Sequence, residues 1–332
     1  VWRGILQCIR SYCYSYAKQI VKIGIFVNME SIYAKSFKEK SNAKALDIAH
    51  RKTINFNMAR YNSAVPKGKQ QFTDLNRVRE LAKNRKWEAI EHLDLYLTQF
   101  EEKITSRGAK VFWAEDSEQA LNFIGDICKQ KECKTLVKSK SMVTEEIHLN
   151  HFLESMGIES VETDLGEYIQ QIAGETPYHI VTPAMHKSKE DVAALFAEKL
   201  GTLPGLSPEE LTLVARNNLR EKYVNAEIGV TGANFIISDV GAIAVTENEG
   251  NARLSASWPK THIVVVGIEK VIPSITDLGL FWPLLATYGT GQQITSYNSI
   301  ISGPRQEDEV DGPEEMYVIL LDNGRTCLLY TS

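Results

Sequence analysis

Several familiar signatures are missing from this 332-residue sequence, and each absence removes a class of chemistry. There is no G-x4-G-K-[ST] run, no G-x-G-x-x-G opening a helix and no G-x-S-x-G elbow. A conventional nucleotide site and a serine hydrolase therefore have no support. Cysteine is scarce: Cys8, Cys13, Cys128, Cys133 and Cys327 are all there is, with no C-x-x-C among them. The C-x4-C spacings 8/13 and 128/133 are not what zinc or iron–sulfur sites require by themselves. So few cysteines, one of them odd, fit a reducing cytosol, and Cys128 and Cys133 are expected as free thiols near a helix end. His179 and His186 have no Cys or third His nearby, so hydrogen bonding suits them better than metal ligation. A net charge of −5 gives no argument for nucleic acid. No apolar run is long enough for a membrane span, and no repeat of fixed period occurs.

What remains is the composition of a soluble globular protein, 43% hydrophobic and 24% charged. The charge is unevenly spread. Residues 35–88 hold 14 Lys or Arg against five acids, and residues 305–315 hold six acids against one arginine. A basic front and an acidic tail suit either docking surfaces for partner subunits or plain solvated faces. Residues 1–28 contain four basic residues and no acid before Met29, and read as a non-native or upstream leader. Residues 327–332 read as a sequencing-adaptor artefact.

Between these ends two regimes follow one another. Residues 29–107 are helical in pattern, with apolar stripes such as Trp87, Ile90, Leu93, Leu97 and Phe100 and a stop at Arg107-Gly108. From 108 to 325 short strands alternate with helices, which implies βαβ units and a largely parallel sheet. Strands are expected at 110–114, 135–138, 158–161, 179–182, 226–230, 235–238, 241–246, 262–267 and 316–321. Helices are expected at 117–131, capped by Ser117, at 144–156, capped by Thr144, and at 189–200 and 208–223.

Chemistry concentrates in a few places. Loop 247–253 carries Glu247, Asn248, Glu249, Gly250, Asn251 and Arg253 at the edge of the strand-dense stretch. That inventory suits a site, although the same residues also make ordinary turns. Lys138, Ser139, Lys140 and Ser141 follow a strand and precede a helix, where α/β folds bind anions; a basic surface turn would look the same. Asp164 and Glu167 are either acid/base groups or a helix cap and a first-turn acid, and capping is favoured. Thr231, Gly232 and Asn234, and Gly291 with Gln292, sit in glycine-bearing turns that let a ligand approach the backbone.

The runs VKSKSMVTEEIHLN, VETDLGEYIQQIAGE, HIVTPAMHK, EIGVTGANFIISDVGAIAVTENEGNARL, HIVVVGIEK and TYGTGQQITSYNSIISGPR resemble the LUD domain of lactate utilization proteins. The front HRKTINFNMARYNSAVPKGKQQF resembles the B-type member, the iron–sulfur subunit of L-lactate oxidation. The resemblance implies an α/β fold of the isomerase and CoA-transferase-like superfamily, preceded by an α-helical N-terminal region. It also implies a cytoplasmic subunit that works with companion A and C proteins to convert L-lactate to pyruvate, and that binds a small anionic ligand or a partner. B-type proteins carry two 4Fe–4S clusters in a C-terminal ferredoxin-like module; no such cysteine runs occur here, so no cofactor or metal is expected in this chain. Asp239-Val240-Gly241 stands where many relatives have Glu-Thr-Gly, which puts any role for that carboxylate in doubt. The alternative reading is a stand-alone acyl- or CoA-transfer enzyme with Glu249 as nucleophile, Glu247 being the other catalytic candidate.

Overall fold

The computed structural model describes residues 32–178 and 181–331. The expectations for the leader, Cys8 and Cys13, for His179 and for Ser332 lie outside the described residues. Four helices open the described chain: α1 (Ile32–Leu46), α2 (Ile48–Lys69), α3 (Leu75–Glu91) and α4 (Leu93–Thr105). Asp47 and Asp74 cap α2 and α3, accepting from the His50 and Arg77 amides. Leu93, Leu97, Phe100 and Ile104 share one face of α4 and are buried. Trp87, expected in the same stripe, is 64% exposed. The chain breaks at His92 between α3 and α4, and the break rotates Trp87 out of phase with the residues that follow.

Then come β1 (Lys110–Ala114), α5 (Ser117–Gln130), β2 (Thr135–Lys138), α6 (Met142–Glu146), α7 (Leu149–Ser155), β3 (Glu159–Glu162), α8 (Leu165–Ala173), α9 (Lys189–Leu200) and α10 (Pro208–Asn225). They are followed by β4 (Ile228–Thr231), β5 (Phe235–Ile237), β6 (Ala242–Glu247), α11 (Asn251–Ser257), β7 (Thr261–Gly267), β8 (Val271–Ile272), α12 (Leu278–Thr290), β9 (Tyr297–Ile301), β10 (Glu315–Leu321) and α13 (Arg325–Thr331).

Six strands form a wholly parallel sheet in the order β1-β10-β7-β4-β2-β3. All seven residues of β7 are buried, as a central strand with both faces covered requires. The strand-dense stretch does not stay in that sheet. β5 and β6 leave it as an antiparallel hairpin and join β8 and β9 in a second, four-stranded sheet. Gly241 makes that hairpin possible: its φ is +59°, and a Cβ there would lie 2.6 Å from the Ile104 amide nitrogen.

Local boundaries depart from the sequence reading where capping chemistry decides them. Asp116, not Ser117, caps α5 by accepting from the Gln119 amide. The helix expected over 144–156 is two helices, broken at His148 (φ +55°), and Ser141 rather than Thr144 caps the first. Residues 181–182 are not strand, and the Tyr178 amide donates to Pro183 O. Cys128 and Cys133 are buried free thiols at the end of α5, with the Cys133 amide donating to Cys128 O. Arg325 on α13 pairs with Glu146 and Glu269, and Tyr330 O–H donates to Ile90 O at 2.8 Å.

The helical front is fastened to the α/β body by a close crossing of α2 over the end of α12. A Cβ on Gly68 would lie 2.4 Å from Gly291 O, and Gly291 itself has φ +78° with Ala64 against it. Gly68→Ala must therefore push α2 off α12. Expected is a loss of about 1–3 kcal/mol of stability, read by denaturant unfolding of the variant beside the parent.

Candidate functional site

β2 and β3 end side by side, with Lys138 and Glu162 in register. Lys138 is completely buried, its Nζ 2.7 Å from Glu162 Oε1, 3.0 Å from Glu145 Oε1 and 3.1 Å from Thr144 Oγ1. Burial pulls the ammonium down, but the charges of Glu162 and Glu145 outweigh it and hold it above its usual range. The anion site expected at 138–141 is thus closed by the protein's own groups. Ser139 is buried with its amide donating to Val230 O, Lys140 Nζ donates to Val181 O, and Ser141 caps α6.

Glu167 points into the same buried cluster. Asp164 caps α8 through the Gly166 and Glu167 amides, as the spacing suggested, yet Glu167 is no surface acid: it is 1% exposed. Burial first, then the neighbouring Glu162, pushes its carboxyl up to about 9. Neither Glu167 oxygen, nor Glu162 Oε2, nor either amide atom of Gln170 has a hydrogen-bond partner. A proton shared between Glu167 and Glu162 gives both carboxyls the partner they lack.

Loop 247–253 is largely spent on its own geometry. Both Glu247 oxygens cap α11, accepting from the Ala252 and Arg253 amides at 2.7 and 2.8 Å. Gly250, at φ +83°, makes the turn into that helix. The Asn251 amide, oriented so that both its atoms are satisfied, donates to Glu247 Oε2 and accepts from the Asp164 amide. Asn248 and Gln292 bond each other through both amide groups, and Asn234 accepts from the Thr246 amide. Gly291 closes α12, and Gly232 packs against the Ser141 side chain. Thr231 is buried 2.9 Å from His262 Nε2, whose pKa burial lowers to about 3. The Arg253 side chain is exposed, and Asp239 accepts from the Ile275 amide in the β5–β6 turn. Of the residues in loop 247–253 only Glu249 reaches the cavity described next.

That cavity, about 540 Å³, lies between α2 and the C-terminal ends of the parallel strands. Asn57, Arg60 and Tyr61 of α2 form one wall, and Asp164 and Leu165 at the start of α8 form the opposite one. Apolar surface comes from Ile169, Pro183 and Met185, and Glu249 and Thr290 close the remaining side. Glu249 Oε2 accepts from the Leu165 amide at 3.3 Å; the surrounding protein first, then Asp164, raises its carboxyl above the ordinary range. α2 is tied across the opening by three contacts. Asn57 Nδ2 donates to Met185 O at 2.8 Å, His50 Nε2 lies 3.1 Å from Tyr178 O–H, and the His50 and His186 rings stand 5.8 Å apart. His186 in turn bonds Glu175, the hydrogen-bonding role expected of it. The sequence reading missed the α2 wall; its only trace was the basic character of 35–88. Among the described residues no group of three His, Cys, Asp or Glu is placed to hold a metal ion.

Comparison with known proteins matches residues 97–321 to the family model described as the LUD domain. Lactate utilization protein B of Bacillus cytotoxicus is 46% identical over 251 residues, covering 76% of this chain and 53% of that protein. The protein of the same name from Bacillus pumilus is 42% identical over 302 residues, covering 91% and 64%. The chain thus spans between about half and two thirds of the length of these relatives. Among solved structures, a DUF162 family protein from Deinococcus radiodurans is similar over 69% of this chain and 98% of its own, at 16% identity and a TM-score of 0.36.

Proposed function

This chain belongs to the LUD-domain family, and on that premise we propose that it is the LUD-domain portion of a B-type lactate utilization protein, acting with companion A and C proteins in the oxidation of L-lactate to pyruvate. The observation that carries the reading is 42–46% identity to relatives of that name over 76–91% of the chain. Electron transfer through iron–sulfur clusters belongs to the same proposal for the full-length protein. The described residues do not suit a cluster, which needs four thiolates: Cys128 and Cys133 are buried in the core and Cys327 stands on α13. No step here runs through one. What this chain contributes is a cavity for a small anionic ligand and the basic helical front as a docking face for the companions. A cytoplasmic location is part of the proposal; no helix among the described residues is long and apolar enough to cross a membrane.

Acyl or CoA transfer through Glu249 has less support. A carboxylate nucleophile must be ionised, and the surrounding protein together with Asp164 raises the Glu249 carboxyl above its ordinary range, which works against ionisation.

The test is replacement of the LUD-domain segment of the Bacillus pumilus relative by residues 97–321 of this chain. Growth on L-lactate comparable to the parent strain is expected. A chimera that accumulates and copurifies with its A and C partners, yet does not support growth, overturns the reading.

A further inference from the structure

The second sheet ends in an open edge. β9 is its last strand, bonded to β6 on one side only. The Asn234 amide donates to Ala244 O and the Thr246 amide to Asn234 Oδ1, so Ala244 and Thr246 turn their backbone groups away from β9. Ile243, Val245 and Glu247 therefore face β9 and pair with Ile301, Ser299 and Tyr297. By the same alternation the amides and carbonyls of Asn298 and Ile300 point out of the sheet, without a partner among the described residues. Ile300 is also 44% exposed, on an edge of the kind that proteins ordinarily blunt with charge or proline. A cleft of about 440 Å³ runs along this edge, bounded by α11 and by the loop 302–313. Its charged lining is Arg107, Arg253 and Arg305 against Glu309 and Asp311, an excess of one positive charge. Arg107 donates to Gly241 O, Arg305 pairs with Glu314, and Glu309 accepts from the Gln306 amide. Arg253 is exposed and makes no ion pair among the described residues.

We propose that the β9 edge docks an extended segment of a partner polypeptide, one that alternates acidic and apolar residues and adds a strand to the second sheet. The outward amides and carbonyls of Asn298 and Ile300 supply the hydrogen-bond ladder, as in other cases of strand addition. The alternation follows from the two faces of the sheet. Ile301 packs against the same core cluster as Ala252 of α11, so the odd-numbered residues of β9 face α11, which carries Arg253. Ile300 lies on the opposite face. In an added strand every second side chain then falls on the Arg253 side, where a carboxylate is favoured. The side chains between them fall beside Ile300, where an apolar group is favoured. A second copy of this chain fits less well. Its β9 edge carries the same α11 and the same loop, and two edges bounded in this way meet at their walls before the strands pair. The cleft shares no lining residue with the cavity under α2, and the proposal does not depend on the function given above.

Fluorescence anisotropy on the full chain tests this with three labelled hexapeptides as probes: alternating Val and Glu, alternating Val and Lys, and the Val/Glu peptide N-methylated at every peptide bond. The Val/Glu peptide is expected to bind, and the Val/Lys peptide about tenfold more weakly. The N-methylated form keeps its charges but loses its ladder donors, and should not bind measurably. Hydrogen exchange of the Asn298 and Ile300 amides should slow in the Val/Glu complex, while that of Ser299, already bonded to β6, changes little. Ile300→Pro removes one outward amide and touches no β6–β9 bond, and should weaken binding on the order of tenfold. Arg253→Glu should reverse the preference between the Val/Glu and Val/Lys peptides. Circular dichroism checks that both variants fold, and the exposed Arg253 side chain keeps the second independent of the strand itself. No binding of the Val/Glu peptide at millimolar concentration, equal binding of its N-methylated form, or an unchanged affinity in either folded variant overturns the proposal.

Discussion

Lys138→Met is expected to lower the stability of the protein by about 3–5 kcal/mol, the usual consequence of removing one partner from a buried ion pair. For a chain of this size that corresponds to a fall in Tm on the order of 10 °C. The ammonium is fully buried and lies within 3.1 Å of Glu162, Glu145 and Thr144. Methionine fills the volume and leaves two carboxylates facing each other without a counter-charge. Asn150 still donates to Glu162 Oε1 at 2.6 Å, so the site is not wholly orphaned. The double variant Lys138→Met, Glu162→Leu removes both ends of the closest pair, and should recover a good part of the loss. An anion-binding Lys138 would behave otherwise: the single variant would keep its stability and lose a ligand. Thermal unfolding of the parent and both variants separates the two, and an unaltered Tm in Lys138→Met would mean that the ion pair does not hold the ends of β2 and β3.

That contrast also shows what the residues could and could not reveal on their own. Alternating apolar runs and turn formers gave the parallel strands to within a few residues, because a strand buried on both faces is apolar along its whole length, as in β7. The departure of β5 and β6 into a second sheet was not legible; both sheets demand the same short apolar segments, and only pairing distinguishes them. At the site, Lys138 and Glu162 are 24 residues apart in the chain and become neighbours only through the β2–β3 register. A lysine before a serine-rich turn looks the same whether it faces solvent or two glutamates. Glu249 could be singled out because its loop is unusually polar, but Glu247, beside it, carries the same composition and is spent on capping α11. Arg60 and Asn57 could not be found at all from the strand pattern. They reach the cavity because Gly68 and Gly291 let α2 cross α12 closely, and spacing within a helix carries no record of what the helix lies against.

Glu167→Gln is expected to flatten the pH dependence of stability by removing a proton that the folded protein holds and the unfolded chain gives up. The carboxyl is 1% exposed, and burial with Glu162 beside it raises its pKa from 4.5 to about 9. Below about pH 4.5 both states carry the proton and the full stability is present. Between 4.5 and about 9 the unfolded chain binds fewer protons than the folded one, so stability falls as pH rises through that window. At about 1.4 kcal/mol per unit of pKa, the effect is at most several kcal/mol. Two groups with large shifts tilt the curve the other way. His262, lowered by burial to about 3, makes stability rise up to about pH 6.5, and Lys86, lowered by burial to about 8, does so from there to about 10.5. The quantity to read is therefore the difference between Glu167→Gln and the parent, since both opposing groups are common to the two. Glutamine keeps the shape and offers an N–H to Glu162 Oε2, the atom that now has no partner without the shared proton. Near pH 5 the two proteins should unfold together; toward pH 8 the variant should become the more stable, by a margin that grows with each step. Parallel curves across that range would show that Glu167 is ionised in the folded protein, and that Lys138 alone balances three carboxylates at the strand ends.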